Sequence, residues 1–114
     1  MDVGDIYSVE IPPSDGHEQA GFRPAIIVQS PQFEKQLPTR LIVPMTSQLA
    51  AQAFPGTLLI LPDAENGLTT TSIALVFQLR AIDNKRLKRK IGRLSKSQIT
   101  RLQKEIKALL KFPA

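Results

Sequence analysis

Few side chains in this sequence are equipped for covalent or acid–base chemistry. His17 is the single histidine and cysteine is absent, which excludes a thiol nucleophile, a cysteine zinc site and any mechanism needing two imidazoles within one chain. There is no His-Glu-x-x-His run and no Asp-rich calcium loop, so no metal site is expected. The six glycines are scattered, and none opens a phosphate-cradling loop that runs into a lysine. Ser, His and Asp are all present, but without a Gly-x-Ser-x-Gly turn. What remains is chemistry by Arg, Lys, Asp, Glu, Thr, Ser and one imidazole, with no cofactor. Imidazole is the one side chain that titrates near neutrality when unperturbed, and His17 lies in a polar stretch just ahead of Arg23. Glu18 and Gln19 beside it are alternative bases or hydrogen-bonding groups.

The elements that must position these groups are mostly strands. Val3 to Ile11 reads as a first strand, with Tyr7, Val9 and Ile11 on one face and Ser8 and Glu10 on the other. Ile6 breaks the alternation, which implies partial cover on both sides. Pro12-Pro13-Ser14-Asp15-Gly16 ends the strand, and a polar loop of the kind that often carries function runs on to Phe22. Pro24 opens a second strand, Ala25-Ile26-Ile27-Val28, apolar on both faces. Pro31 to Pro38 is a polar connection that admits a helical turn. Leu41-Ile42-Val43, Thr57 to Leu61, Ser72 to Phe77 and Leu87 to Leu94 supply further strands, with Gly92 allowing a bulge in the last. The final segment predicts a helix over about 96–111. Ser95 and Gln98 form a capping-box pattern, Ile99, Leu102, Ile106, Leu109 and Leu110 make one apolar stripe, and Pro113 stops it.

Short strands followed by one amphipathic helix predict a mainly β fold with α, a small twisted barrel capped by the C-terminal helix. With 114 residues the chain is expected to be one domain, 1–114. Strands apolar on both faces need cover on both; whatever the helix leaves open is a candidate homodimer interface. No apolar run is long enough to cross a membrane, no secretion signal is evident at the N-terminus, and a cytoplasmic location is expected.

The net charge of +5 is unevenly placed. Residues 85–111 hold eleven of the fifteen basic residues against the single acid Glu105, whereas residues 1–20 carry five acids and no Lys or Arg. Such asymmetry fits a polyanion or an acidic protein segment docking near the C-terminal part, and equally a solvated basic surface.

Three ordered segments then carry a resemblance. Gly4-Asp5-Ile6-Tyr7-Ser8-Val9 is followed by Gly16-His17-Glu18-Gln19-Ala20-Gly21-Phe22-Arg23-Pro24-Ala25-Ile26-Ile27-Val28. Leu41-Ile42-Val43-Pro44-Met45-Thr46-Ser47 comes next. Phe77-Gln78-Leu79-Arg80-Ala81-Ile82-Asp83 then leads through Lys85-Arg86-Leu87 to Ile91-Gly92-Arg93-Leu94-Ser95. Together they resemble the MazF/PemK toxin family, the mRNA interferases. Members often place Asp before the Gln of the third segment, where this chain has Phe77; that departure bears on substrate choice.

The resemblance implies an SH3-like barrel, a homodimer, and metal-independent cleavage of single-stranded RNA at a short sequence. Attack by the 2′-hydroxyl would leave 2′,3′-cyclic phosphate and 5′-hydroxyl ends. It also implies an antitoxin protein whose flexible segment covers the RNA groove. It makes Arg23 the cation at the reacting phosphate, suited by its planar paired donors, and Thr46 a hydroxyl donor to the same group. Alone, a Thr leaving a strand is more often a turn cap. Arg80 and Asp83 match an acid and base pair of some members, against the plainer reading of a structural pair across a turn. His17 matches a histidine implicated in parts of the family. Ser47, Gln78, Glu18 and Gln19 are candidate RNA contacts, as are Phe22 by base stacking and Lys85 and Arg86 by phosphate attraction. Two other readings keep the basic barrel without RNA cleavage: a gyrase-poisoning toxin of the CcdB kind, and a regulatory RNA-binding barrel, the latter disfavoured by scarce aromatics.

Overall fold

The computed structural model describes residues 1–12 and 21–111. Among them run strands β1 (Asp5–Ile11), β2 (Gly21–Ile27), β3 (Thr39–Thr46), β4 (Thr57–Ile60), β5 (Ser72–Leu75), β6 (Arg80–Asp83) and β7 (Leu87–Arg93), then helix α1 (Lys96–Leu110). All pairings are antiparallel, in the order β4-β5-β3-β2-β1-β7, with β6 also on β3.

The alternation explains the curl of this sheet. Val9 and Ile11 of β1, Ala25 and Ile27 of β2, Ile42 of β3 and Ile82 of β6 form one buried cluster, closed off by Met1, Tyr7 and Leu87. The intervening residues Ile6, Ile26, Val43 and Met45 enter a second core with Leu58, Ile60, Ala74, Val76 and Leu102. Each of β1, β2 and β3 is thus apolar on both faces because it divides two cores. Ile6, out of step with the alternation, is the β1 contribution to the second. The run β6-β3-β2-β1-β7 wraps the first core as an SH3-like twisted barrel. It is left open between β6 and β7, which a short 3-10 turn at Asn84–Arg86 joins.

α1 seals the second core. Leu102 is fully buried, with Ile99 and Ile106 packed against the same cluster, a burial worth about 1.5–3 kcal/mol for the leucine alone. The predicted capping box is present: Ser95 Oγ accepts the Gln98 N–H at 3.2 Å, and Gln98 Oε1 accepts the Ser95 N–H at 2.8 Å. The helix ends at Lys111 in the left-handed conformation, its N–H donating to the Lys107 carbonyl. Pro113 lies outside the described residues.

Several boundaries differ from the sequence expectation. β1 starts at Asp5, after Gly4 turns with φ 95°. β2 starts at Gly21, three residues before Pro24, so Arg23 and Pro24 are strand residues opposite Val9 and Ser8. The expected strand through Phe77 stops at Leu75 and gives way to a 3-10 turn at Val76–Gln78. β6 was not legible, being four residues long with Ile82 as its one buried member. Most strand residues are buried within the chain, and exposed apolar side chains include Leu41 on β3, Phe54 after β3, and Leu109 and Leu110 at the end of α1. Among the described residues no helix is long and apolar enough to cross a membrane.

Candidate active-site cavity

β3 is shared between two sheets. Its first part pairs with β2 and β6, and its end leaves them so that Met45 and Thr46 pair with Ala74 and Ile73 of β5. Beside that departure lies an open concavity of about 280 Å³, lined by Arg23 and Pro24 of β2, Met45, Thr46 and Ser47 at the end of β3, Arg89 and Ile91 of β7, and the segment from Gly67 to Thr70 with Ser72. Two guanidiniums and five hydroxyl side chains (Thr46, Ser47, Thr69, Thr70, Ser72) face a space that no described carboxylate lines. Low-dielectric walls and one sign of charge concentrate anions in such a cleft. Its volume, at the small end for a ligand site, suits one residue of a longer polymer better than a whole cofactor.

Arg23 is exposed and makes no ion pair or side-chain hydrogen bond among the described residues, so its donors are available to an incoming anion. Thr46 is the opposite case, only 4% exposed. Its Oγ1 accepts the Gln48 N–H at 3.1 Å, so the plain turn-capping role is realised. That bond also fixes the hydroxyl oxygen while leaving its hydrogen to donate.

The remaining sequence candidates do not converge here. Arg80 and Asp83 lie along β6, opposite Ile42 and Thr39 of β3, and neither lines the cavity. Asp83 Oδ1 accepts the Lys85 N–H at 2.8 Å and caps the turn after β6. Lys85 and Arg86 sit in that turn, Arg86 3.5 Å from Glu10, also away from the cavity. Gln78 ends the turn after β5 and is half-buried. Phe22 is 65% exposed, so its ring is open for stacking. Phe77, the departure noted above, packs against Phe54 with ring centroids 5.4 Å apart and planes tilted by 44°. His17, Glu18 and Gln19 lie outside the described residues. Among the described residues no group of three His, Cys, Asp or Glu side chains comes together in a way that could hold a metal ion.

The wall of the cavity from Gly67 to Thr70 is held by a built loop. Asn66 is fully buried; its Oδ1 accepts the Asp63 and Leu68 N–H groups at 3.1 and 3.0 Å, and its Nδ2 donates to the Leu61 carbonyl at 2.9 Å. The Arg93 N–H donates to the Glu65 carbonyl at 3.0 Å, tying the loop to β7. A Cβ on Gly92 would collide with the backbone of Glu65 and Asn66, and one on Gly67 with the Ile91 carbonyl. Backbone meets backbone here, which neither side can yield cheaply. Gly92→Ala is therefore expected to destabilise the fold by about 1–3 kcal/mol and to lower the thermal midpoint by several degrees. An unchanged midpoint in thermal denaturation would show that the loop is not seated as described.

Sequence reasoning missed Thr69, Thr70, Ser72 and the particular importance of Arg89. The hydroxyl run Thr69-Thr70-Thr71-Ser72 was a usable signal.

Comparison with known proteins agrees with this architecture. The family model described as PemK-like, MazF-like toxin of type II toxin–antitoxin system matches residues 2–110. The chain is 33% identical to the endoribonuclease MazF of Staphylococcus epidermidis over 96 residues, 84% of this chain and 79% of that protein. Its fold is similar to crystalline MazF from Deinococcus radiodurans, with a TM-score of 0.81 at 22% identity over 98% of this chain and 97% of the other. It is also similar to an endoribonuclease in complex with its cognate antitoxin from a mycobacterial species, with a TM-score of 0.78 at 12% identity over 100% of this chain and 98% of that one.

Proposed function

Because the chain belongs to the PemK-like, MazF-like toxin family of type II toxin–antitoxin systems, we propose that it is an endoribonuclease toxin that cleaves single-stranded RNA in the cavity shared by Arg23 and Thr46. The observation that carries the reading is that these two side chains, far apart in sequence, line one concavity to which no described residue brings a carboxylate.

The chemistry requires no resident group beyond the chain itself. RNA brings its own nucleophile, the 2′-hydroxyl beside the scissile phosphate. The protein must take the proton from that hydroxyl, stabilise the added negative charge on phosphorus and supply a proton to the departing 5′-oxygen. Arg23 holds the non-bridging oxygens through paired N–H donors. Thr46, its oxygen fixed by the Gln48 N–H, donates to the same phosphoryl group, with Ser47 as a weaker companion. The described lining holds only guanidinium and hydroxyl groups as polar side chains; His17, Glu18, Gln19, Arg80 and Asp83 are the candidates for the base and for the acid that protonates the departing 5′-oxygen. The products are a 2′,3′-cyclic phosphate and a 5′-hydroxyl. Phe22, Gln78, Lys85 and Arg86 are assigned to flanking nucleotides.

Neutralisation by an antitoxin whose segment covers the groove follows from family membership, supported by the mycobacterial antitoxin complex. A homodimer is proposed through the apolar patch where Phe54, 47% exposed, packs against Phe77 beside Leu109, since contiguous exposed apolar surface marks contact sites.

Incubating the purified protein with a long RNA in the presence of EDTA tests the reading. Site-specific fragments with 2′,3′-cyclic phosphate ends are expected, and a single 2′-deoxy substitution at the cut position is expected to abolish cleavage there. Intact RNA together with inhibited DNA supercoiling would overturn the proposal in favour of a gyrase poison.

A further inference from the structure

The cavity has a second cationic pole that the cleavage chemistry does not use. We infer that Arg89 of β7 binds a second, non-reacting phosphate of the RNA, adjoining the one held by Arg23, and so sets the register of the strand in the groove; the inference rests on the endoribonuclease reading above.

Geometry separates the two poles. Pro24 of β2 lies opposite Ser8 of β1, and Ser8 lies opposite Arg89 of β7, so one row across three strands forms the floor. Arg23, next to that row and opposite Val9, and Arg89, within it, belong to strands about 10 Å apart on either side of β1, and both line the cavity. Thr46 and Ser47 belong to the Arg23 side, since β3 pairs with β2. The wall from Gly67, seated against Ile91, to Ser72, beside the residue that faces Thr46, bridges the two. Arg89 and Ile91 of β7 both line the cavity.

Charge pairing singles out Arg89 from its basic neighbours. Arg86 lies 3.5 Å from Glu10, and Lys90 and Arg93 lie 3.5 and 3.9 Å from Asp5. Lys88 donates to the Lys85 carbonyl at 3.0 Å. Arg89 makes no such bond among the described residues and is the member of the cluster that reaches the cavity. A guanidinium with unused paired donors, facing hydroxyls and no described carboxylate, is matched to a phosphodiester. The occupant is the sugar–phosphate backbone, whose non-bridging oxygens match the paired donors of a guanidinium.

The test is equilibrium binding of an RNA made uncleavable by a 2′-deoxy sugar at the cut position, titrated against salt. Removing one phosphate contact from a single-stranded complex lowers the slope of log K against log salt by about 0.7. Arg89→Ala is expected to show that reduction with about tenfold weaker binding. Arg89→Lys is expected to restore the slope and only part of the affinity. On cleavable RNA, Arg89→Ala is expected to raise KM about tenfold while kcat falls less than threefold. A variant-free arm uses the unaltered protein with one neutral methylphosphonate placed at each linkage in turn; a single linkage beside the cut should weaken binding about tenfold, and that same substitution should cost Arg89→Ala nothing more. An unchanged slope, a loss in kcat instead of KM, or no sensitive flanking linkage would overturn the assignment. Failure of the unaltered protein to bind or cut RNA at all would instead sink the endoribonuclease reading.

Discussion

Arg23→Ala is expected to remove cleavage almost completely, with kcat/KM falling at least about 10³-fold, while the folded protein survives unchanged. Both halves of that expectation come from the position of the side chain. Arg23 is exposed and has no ion-pair partner among the described residues, so its loss leaves no buried charge unmatched, and substitutions at such positions usually cost within about 0.5 kcal/mol of stability. Yet it is the one guanidinium on the Thr46 side of the cavity, where charge builds on phosphorus during the reaction. A donor aimed at developing charge contributes far more to the transition state than to the ground state, so the loss should fall on kcat. Arg23→Lys keeps the charge and loses the paired geometry, and should recover only part of the rate. Single-turnover cleavage with circular dichroism on the same samples checks both halves.

Thr46→Val is expected to lower the cleavage rate by about 10²-fold, the effect of removing one oriented donor. Valine preserves the shape and buries well in a position only 4% exposed, but it also strips the Gln48 N–H of its acceptor, at about 1 kcal/mol of stability. Thr46→Ser separates the two effects: it keeps the oxygen for both roles and should retain most activity. If Thr46→Ser were as inactive as Thr46→Val, the methyl group and not the hydroxyl would be the operative feature.

The parts of this molecule that the sequence announced are those written by local patterning. The two-faced apolar runs of β2 and β3, the Ser95–Gln98 capping box and the stripe at Ile99, Leu102 and Ile106 all had a period or a motif to read. β6 had neither, because its place is fixed by pairing with β3 and not by its own four residues. Arg23 and Thr46 were legible through the resemblance alone. That they share a cavity depends on β3 leaving one sheet for the other at Met45, a long-range event that no local pattern encodes. Arg89 was hidden among its neighbours for a related reason. Charge counting made it one of eleven basic residues between 85 and 111, and only three-dimensional pairing showed that Glu10 and Asp5 take up Arg86, Lys90 and Arg93. The turn cap that Asp83 supplies to the Lys85 N–H was likewise not announced by residue type alone.

The most direct measurement is a double-mutant cycle on single-turnover cleavage by the unaltered protein, Arg23→Ala, Thr46→Val and the combined variant. Two groups acting together on one phosphoryl group are expected to give a combined loss well short of the product of the separate losses. Losses that multiply in full, or a single variant that cuts at the unaltered rate, would contradict a shared reacting phosphate.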